Sequence, residues 1–391
     1  MKKYIVTLAS FIIMICIGGV YAWSIFVPPL QAEHLLSSAS TQMIFGFTIT
    51  MFAIAMVFAG KMEKRRGPKH TALVGAMLFG AGYLIASFSA GKSLLLLLGI
   101  GVFSGAGIAY GYVAALATPI KWFPKHKGLI TGVSVAGFGG GAILLSFIVK
   151  QLLADNVAVL GIFRIIGIVY GIVVLLCSLL IAVPPTLQKS SSPGNLPVAA
   201  LLTDKKLWAL FLAMFSGTFA GLVVIGNLKP IGLYYGVSDN YATIAISFLA
   251  IGNMLGRVLW GLISDKLGGR KSILLALGFL GLFTILILPA ARTNATFLFL
   301  PFLIGLGFGA NFVLFATEVS LLYGVERLSE IYPYVFLSYG LAGIIGPLAG
   351  GWLFDHLQSY VMPIIISAML CAAGAVVFAV MIPARPNSAR P

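Results

Sequence analysis

The sequence predicts an all-α membrane protein with twelve transmembrane helices in two pseudo-symmetric six-helix bundles. Three observations carry that expectation. Hydrophobic residues make up 60% of the 391 and charged residues 9%, against about 25% charged in soluble domains. Apolar runs long enough to cross a hydrocarbon core of about 30 Å recur down the chain. A basic, glycine-containing turn occurs twice, about 200 residues apart.

The spans fall at 4–28, 42–60, 71–90, 93–117, 128–149, 161–183, 207–228, 240–263, 272–291, 296–317, 331–354 and 360–383. The first is too long for a removable signal peptide and lacks its cleavage pattern. It carries Tyr21, Trp23 and Ser24 ahead of Pro28-Pro29. The second runs into the turn Gly60-Lys-Met-Glu-Lys-Arg-Arg-Gly-Pro-Lys69, which opens the third. The fourth holds Tyr110 and Tyr112 beside Gly105, Gly107 and Gly111. The fifth is dense in glycine, with Gly128, Gly132, Gly137, Gly139, Gly140 and Gly141. Glycines so spaced allow close backbone approach, a pivot surface between halves. The sixth closes the first bundle, residues 1–183.

Residues 184–206 are rich in Pro, Ser and Gly and read as a linker. The second bundle, 207–391, opens with a span bearing Asn227 ahead of Lys229-Pro230. Tyr21 and Asn227 take comparable positions in the first helix of each half, the kind of paired interruption that marks a transporter's central site. Trp23 and Lys229 suit interfacial anchoring. The eighth span contains Arg257 and ends in the second basic turn, Gly261-Leu-Ile-Ser-Asp-Lys-Leu-Gly-Gly-Arg-Lys271. The tenth shows an aromatic stripe at Phe308, Asn311, Phe312 and Phe315. The eleventh shows another at Tyr332, Phe336 and Tyr339, with glycines at 340, 343, 346 and 350.

Twelve spans return both termini to one side. Lys2, Lys3, the Lys61–Lys69 cluster, Lys121, Lys125, Lys127, Lys189, Lys205, Lys206, Lys266, Arg270, Lys271, Arg327, Arg385 and Arg390 share it, whereas Lys92, Lys150, Arg164 and Arg292 lie opposite. That asymmetry orients both termini to the cytoplasm of a cell membrane. The net charge of +15 is scattered over short loops, which argues for orientation and against nucleic-acid binding. Cys16, Cys177 and Cys371 all sit in apolar runs without CxxC or Cys/His spacing, so no metal or other cofactor is expected. No Ser/His/Asp constellation is present, and an enzyme is not expected.

Arg257 is the sole formal charge in Tyr241–Ser264. Nine helical residues separate it from Lys266, which puts it about 13 Å inside that boundary, near mid-depth. An arginine there is costly by at least ~2.5–3.5 kcal/mol and faces a cavity and a partner. Asn253 lies one turn earlier on the same face and Trp260 is within stacking range. An amide cannot neutralise a guanidinium, which points to a mobile anion. Glu318, near a helix end, reads as structural.

The two basic turns and the overall organisation resemble the major facilitator superfamily. The resemblance implies two halves rocking about a central site, a monomer, and a conformational latch at the turns, with Asp265, Arg270 and Lys61 as its charges. The stretch Lys121-Trp-Phe-Pro-Lys-His-Lys-Gly-Leu-Ile-Thr-Gly132, together with Gly252–Arg257 and Gly340–Gly346, is similar to the oxalate:formate antiporter and monocarboxylate transporter branch. That likeness implies a substrate carboxylate on Arg257 beside Asn253. It implies an organic part enclosed by Phe308, Phe312, Phe336 and Tyr339, and a tyrosine from the fourth span, Tyr112. Two departures matter. The oxalate transporter carries a lysine in its eleventh helix, and none lies between Ile331 and Phe354 here. One cation balances one carboxylate, which favours a monocarboxylate such as L-lactate or pyruvate over a dianion. Animal monocarboxylate carriers have an aspartate where Asn253 stands, so a co-transported proton would ride on the substrate's own carboxyl. Exchange of organic anions is the alternative mode.

Overall fold

The computed structural model describes residues 2–123, 127–184, 201–290, 293–324 and 327–383, and no β-strand occurs among them. Most of the predicted linker lies outside the described residues. Among the described residues twelve helices organise the fold: α1 (Lys2–Gly18), α2 (Val27–His34), α3 (Ser38–Ser87), α4 (Ser93–Trp122), α5 (Lys127–Ala154), α6 (Val159–Leu180), α7 (Lys205–Tyr234), α8 (Asp239–Leu267), α9 (Gly269–Ala290), α10 (Asn294–Tyr323), α11 (Leu328–Leu357) and α12 (Val361–Met381). Helices dominate because a backbone in hydrocarbon must satisfy its own N–H and C=O groups.

Two expected spans run together in α3. Fifty helical residues would reach about 75 Å, more than twice the bilayer core. Gly67 interrupts it with φ +82° and ψ 165°, and Pro68 follows. The helix is therefore two spans meeting at a turn, which restores the predicted twelve. A mirrored break separates α8 from α9 at Gly268, φ +82°. Further left-handed positions recur at matching places in the halves, Leu35 with Gly236 and Asn156 with Gln358. The repeat seen in two basic turns thus extends through the backbone.

Local irregularities depart from the uniform spans. The α1 helix tightens into a 3-10 stretch over Gly19–Ile25, which contains Tyr21, before the short α2. Within α4, Leu97–Ser104 is π-helical and re-phases the helix ahead of Tyr112. In α7, Pro230 cannot donate to the Gly226 carbonyl one turn back. Gln42 Nε2 of α3 donates to that carbonyl instead, at 3.2 Å.

The halves meet along two seams. In one, α3 packs on α11, where Thr50 Oγ1 donates to Gly340 O at 2.9 Å. A Cβ on Gly340 would come within 2.6 Å of Ala53 Cβ. In the other, α5 packs on α8, and a Cβ on Gly139 would meet Met254 Cα at 3.1 Å. The glycine-rich α5 also packs within its own half, with Gly137 on Phe11 of α1. Likewise, Gly346 and Gly350 of α11 face α7.

Candidate functional site

Between the seams lies a cage of aromatic side chains from both halves. Tyr21, Phe52, Tyr112 and Phe138 come from the first half; Phe308, Phe312, Tyr332, Phe336 and Tyr339 come from the second, and all are buried. Phe52 stands at the junction, its ring centroid 5.3 Å from Tyr112, 5.7 Å from Phe138 and 5.2 Å from Phe336. Phe312 lies 5.2 Å from both Phe308 and Tyr339. Most pairs meet edge to face, the arrangement that ring quadrupoles favour. Tyr21 Oη and Tyr339 Oη lie 3.0 Å apart, a hydrogen bond joining the halves.

Arg257 enters this cage from α8 and is completely buried. Its Nε donates to Asn253 Oδ1 at 3.2 Å, as their shared helical face requires. Its Nη1 donates across the seam to the Val135 carbonyl of α5, at 2.7 Å. Its Cζ lies 4.6 Å from the Phe312 ring centroid and 5.5 Å from that of Phe138. Nη2 is buried without a hydrogen-bond partner. A carbonyl, an amide and two ring faces stabilise a cation as dipoles and quadrupoles, and they leave its charge intact. Among the described side chains no carboxylate pairs with it; Glu63, which pairs with Lys121 at 2.6 Å, ties α4 to α3 instead. Tyr112 Oη is likewise buried and unpartnered. The site therefore offers a forked cation with one open arm, a hydroxyl with open capacity, and apolar walls.

Of the residues singled out from sequence, the cage unites Arg257, Asn253, Tyr112, Phe308, Phe312, Phe336, Tyr339 and Tyr21. Asn227 stands apart: buried, it donates to Val223 O of its own helix at 2.9 Å and lines a separate cleft. Asn311 turns from the cage toward Gly217 of α7. Trp260 does not stack on Arg257; its ring meets Phe279 of α9 at 5.8 Å. Trp23 is buried, donating to Thr41 O at 3.1 Å, and is no interfacial anchor. Phe52, Phe138 and the Val135 carbonyl went unnoticed in the sequence. Only the i+3 spacing of Val135 and Phe138 in α5, which puts them on one face, could have linked any of them.

At the ends of the helices, Glu318 is buried with its carboxylate against Gly269, the first residue of α9, where a helix N-terminus favours negative charge. Arg270 donates to the Ile382 and Ala379 carbonyls at the end of α12, at 2.5 and 3.0 Å. Asp265 is exposed. Lys61 is exposed too, its Nζ 6.0 Å from the Phe58 ring centroid.

Comparison with known proteins extends this picture. The Major Facilitator Superfamily profile matches residues 7–332 and again 225–391. The uncharacterized MFS-type transporter YhjX of Escherichia coli (strain K12) is 27% identical over 349 residues, 88% of this chain and 86% of that protein. The oxalate:formate antiporter of Oxalobacter formigenes is 25% identical over 355 residues, 88% of this chain and 83% of that protein. The apicoplast pyruvate carrier 1 of Toxoplasma gondii is 22% identical, covering 86% of this chain and 80% of its own. With a family profile spanning nearly its whole length and an all-helical fold of two matching halves, the chain belongs to the Major Facilitator Superfamily.

Proposed function

We propose that this protein is a secondary active transporter of a small monocarboxylate, L-lactate or a close relative such as pyruvate, working by rocker-switch alternating access. The observation that carries the reading is Arg257: fully buried, one arm unpartnered, walled by rings, with no paired carboxylate among the described side chains. A single carboxylate supplies the missing counter-charge through charge-assisted hydrogen bonds. Tyr112 Oη then meets the 2-hydroxyl or keto oxygen, and the rings enclose the carbon skeleton. The absence of a lysine in Ile331–Phe354 supports one carboxylate over two.

The basic end of the bundle, with exposed Lys61, Lys64, Arg65, Arg66, Lys69, Lys266 and Lys271, faces the cytoplasm in this reading, as do both termini. Asp265, exposed at that end, is the latch group that pairs with the opposite half when the cytoplasmic side closes. Arg270 serves the latch by fixing α9 to α12, and Lys61 contributes charge at the matching turn. Transport is a symport with H+, and the working unit is a monomer.

The test is counterflow in proteoliposomes with labelled L-lactate, formate and oxalate, with and without an imposed pH gradient. Lactate uptake that rises with inward acid-to-neutral gradients and disappears in Arg257→Ala is the expected result. Normal uptake by Arg257→Ala rejects the site; indifference to pH rejects the symport. Preference for oxalate rejects the monocarboxylate in favour of an exchanger of the oxalate:formate kind.

A further inference from the structure

A groove of about 510 Å³ opens on the outside of the α5–α8 seam, behind Arg257. The α5 helix lies between α1 and α8 and packs on both. Phe11 and Ile15 of α1 line one side of the groove and Met254 of α8 lines the other; Gly137 and Gly140 of α5 form its floor. A Cβ on Gly137 would come within 2.9 Å of the Phe11 ring, and one on Gly140 within 3.2 Å of Met254 Sδ. Side chains at these two positions would fill the trough, and glycine keeps it open. The first half supplies α1 and α5 and the second supplies α8, so the groove belongs to both.

Its surroundings say what covers it. Phe147 lines the groove, is 71% exposed and lies in a candidate membrane span, Gly132–Ala154. An aromatic ring so exposed within a span meets lipid tails. Met254 adjoins Asn253, one turn from Arg257, which sets the groove near mid-depth. From Gly140, ten helical residues lead to Lys150, about 15 Å, which is half of a hydrocarbon core of about 30 Å. Lys150 is exposed at the end of α5 away from the termini. Ile143, Phe147 and Lys150 stand at i, i+4 and i+7, so one stripe of α5 runs from the groove to headgroup level. An apolar trough that ends at a surface cation is complementary to a hydrocarbon tail that ends in an anion.

We propose that the groove binds one acyl chain of an anionic phospholipid from the leaflet away from the termini, with the headgroup phosphate on Lys150. Occupancy depends on conformation, because the two sides of the groove come from different halves. Directly beneath it, a Cβ on Gly139 would meet Met254 Cα at 3.1 Å, and Val135 O accepts from Arg257 Nη1. A ligand that binds one conformation better shifts the equilibrium toward it. The bound chain therefore holds α5 on α8 and slows the parting of the seam. The lipid site stands apart from the carboxylate reading; its effect on turnover rests on that reading.

The experiment has two arms. The full chain is reconstituted in phosphatidylcholine vesicles that contain phosphatidylglycerol with a mid-chain diazirine, and photoadducts are mapped by peptide mass spectrometry. Adducts are expected to concentrate on Ile143, Phe147 and Met254, above Val376 and Val380 of α12, which are 62% and 77% exposed and report bulk lipid. Unlabelled phosphatidylglycerol is expected to displace the label, and added phosphatidylcholine is not. Lys150→Gln is expected to lower the labelling about fivefold, and Lys150→Arg to keep it. Gly140→Leu is expected to lower it about tenfold by filling the trough; if that variant does not fold, the lysine pair decides alone. Labelling no denser than on α12, indifferent to Lys150, or absent because a second copy of the chain is seated there overturns the site.

The second arm measures L-lactate uptake. Vmax is expected to be about two- to fivefold lower in phosphatidylglycerol vesicles than in phosphatidylcholine vesicles for the wild type, and equal in the two for Lys150→Gln. A lipid effect that persists in Lys150→Gln overturns the hold on the seam. If labelling fails while uptake still depends on Arg257, the lipid site falls and the transport reading stands. If labelling depends on Lys150 while uptake ignores Arg257, the lipid site stands and the central assignment falls.

Discussion

The two halves share a backbone and divide the chemistry. Gly67 and Gly268 break their helices alike, and Asn156 and Gln358 turn their chains alike. Yet the second half holds the buried cation and its amide, while the first half answers with rings and a main-chain carbonyl. Arg257 is thus positioned by its own helix, through Asn253. It touches the other half through Val135 O and Phe138, neither of which carries charge. A full ion pair across the seam would be expensive to break in low dielectric. Dipole and quadrupole contacts are weaker, so the halves can part without stranding a partner charge. Asymmetric chemistry on a symmetric frame lets a ligand decide when the frame closes.

The largest expected effect comes from changing the cation while keeping its charge. Arg257→Lys retains the positive end but cannot reach Asn253, Val135 O and a carboxylate together, since an ammonium lacks the planar fork. Lactate uptake in proteoliposomes is expected to fall at least about tenfold, and to near background in Arg257→Ala. Retained uptake in Arg257→Lys would show that charge alone suffices and that the division between halves is unimportant.

Much of this was legible beforehand because it lies in charge and period. Arg257 stood out as a lone charge in an apolar run, and Asn253 followed from one helical turn. Tyr112 lay in a predicted span and is in the cage, whereas Tyr110 is half-exposed. Phe52 and Phe138 were illegible for a physical reason: apolar residues on apolar helices carry no contrast, and only tertiary closure selects them. Val135 O is a backbone group that any residue would offer. Trp260 misled because i+3 spacing gives neighbourhood along a helix but not which adjacent helix receives the ring. Asn227 misled because its amide is spent on Val223 O of its own helix and it lines a cleft separate from the cage.

A seam substitution tests whether closure needs the close approach. Gly139→Leu would push side-chain atoms against the Met254 backbone and toward Arg257 Nε, 3.5 Å from the Cβ position. Uptake is expected to drop about tenfold or more, by analogy with the strain of overpacking a core, ~1–3 kcal/mol. Gly278→Leu, where nothing lies within 4 Å, is the matched control and should transport normally. Equal behaviour of the two would deny the α5–α8 seam a role.

Tyr112→Phe separates binding from folding. The hydroxyl is buried without a partner, and an unsatisfied group of that kind costs roughly 1–3 kcal/mol. Its removal is expected to raise the melting temperature of the detergent-solubilised protein by a few degrees. The same change is expected to raise the lactate KM several-fold, because the ligand loses the group that meets its second oxygen. A fall in both stability and affinity would mark Tyr112 as a packing residue only.

The smallest effects belong to the basic end, where the two turns differ most. Glu63 is 7% exposed and pairs with Lys121, itself 35% exposed, within the first half. Glu63→Gln leaves a lysine that can rehydrate, so the loss of stability is expected to be about 1 kcal/mol, with transport kinetics unaltered. Asp265, at the second turn, is exposed. As a latch group it acts on one conformation of the cycle, so Asp265→Asn is expected to lower Vmax about two- to fivefold with KM and melting temperature unchanged. A thermal shift in Asp265→Asn, with Vmax preserved, would make both acids static braces of their own halves and return the latch to the cations.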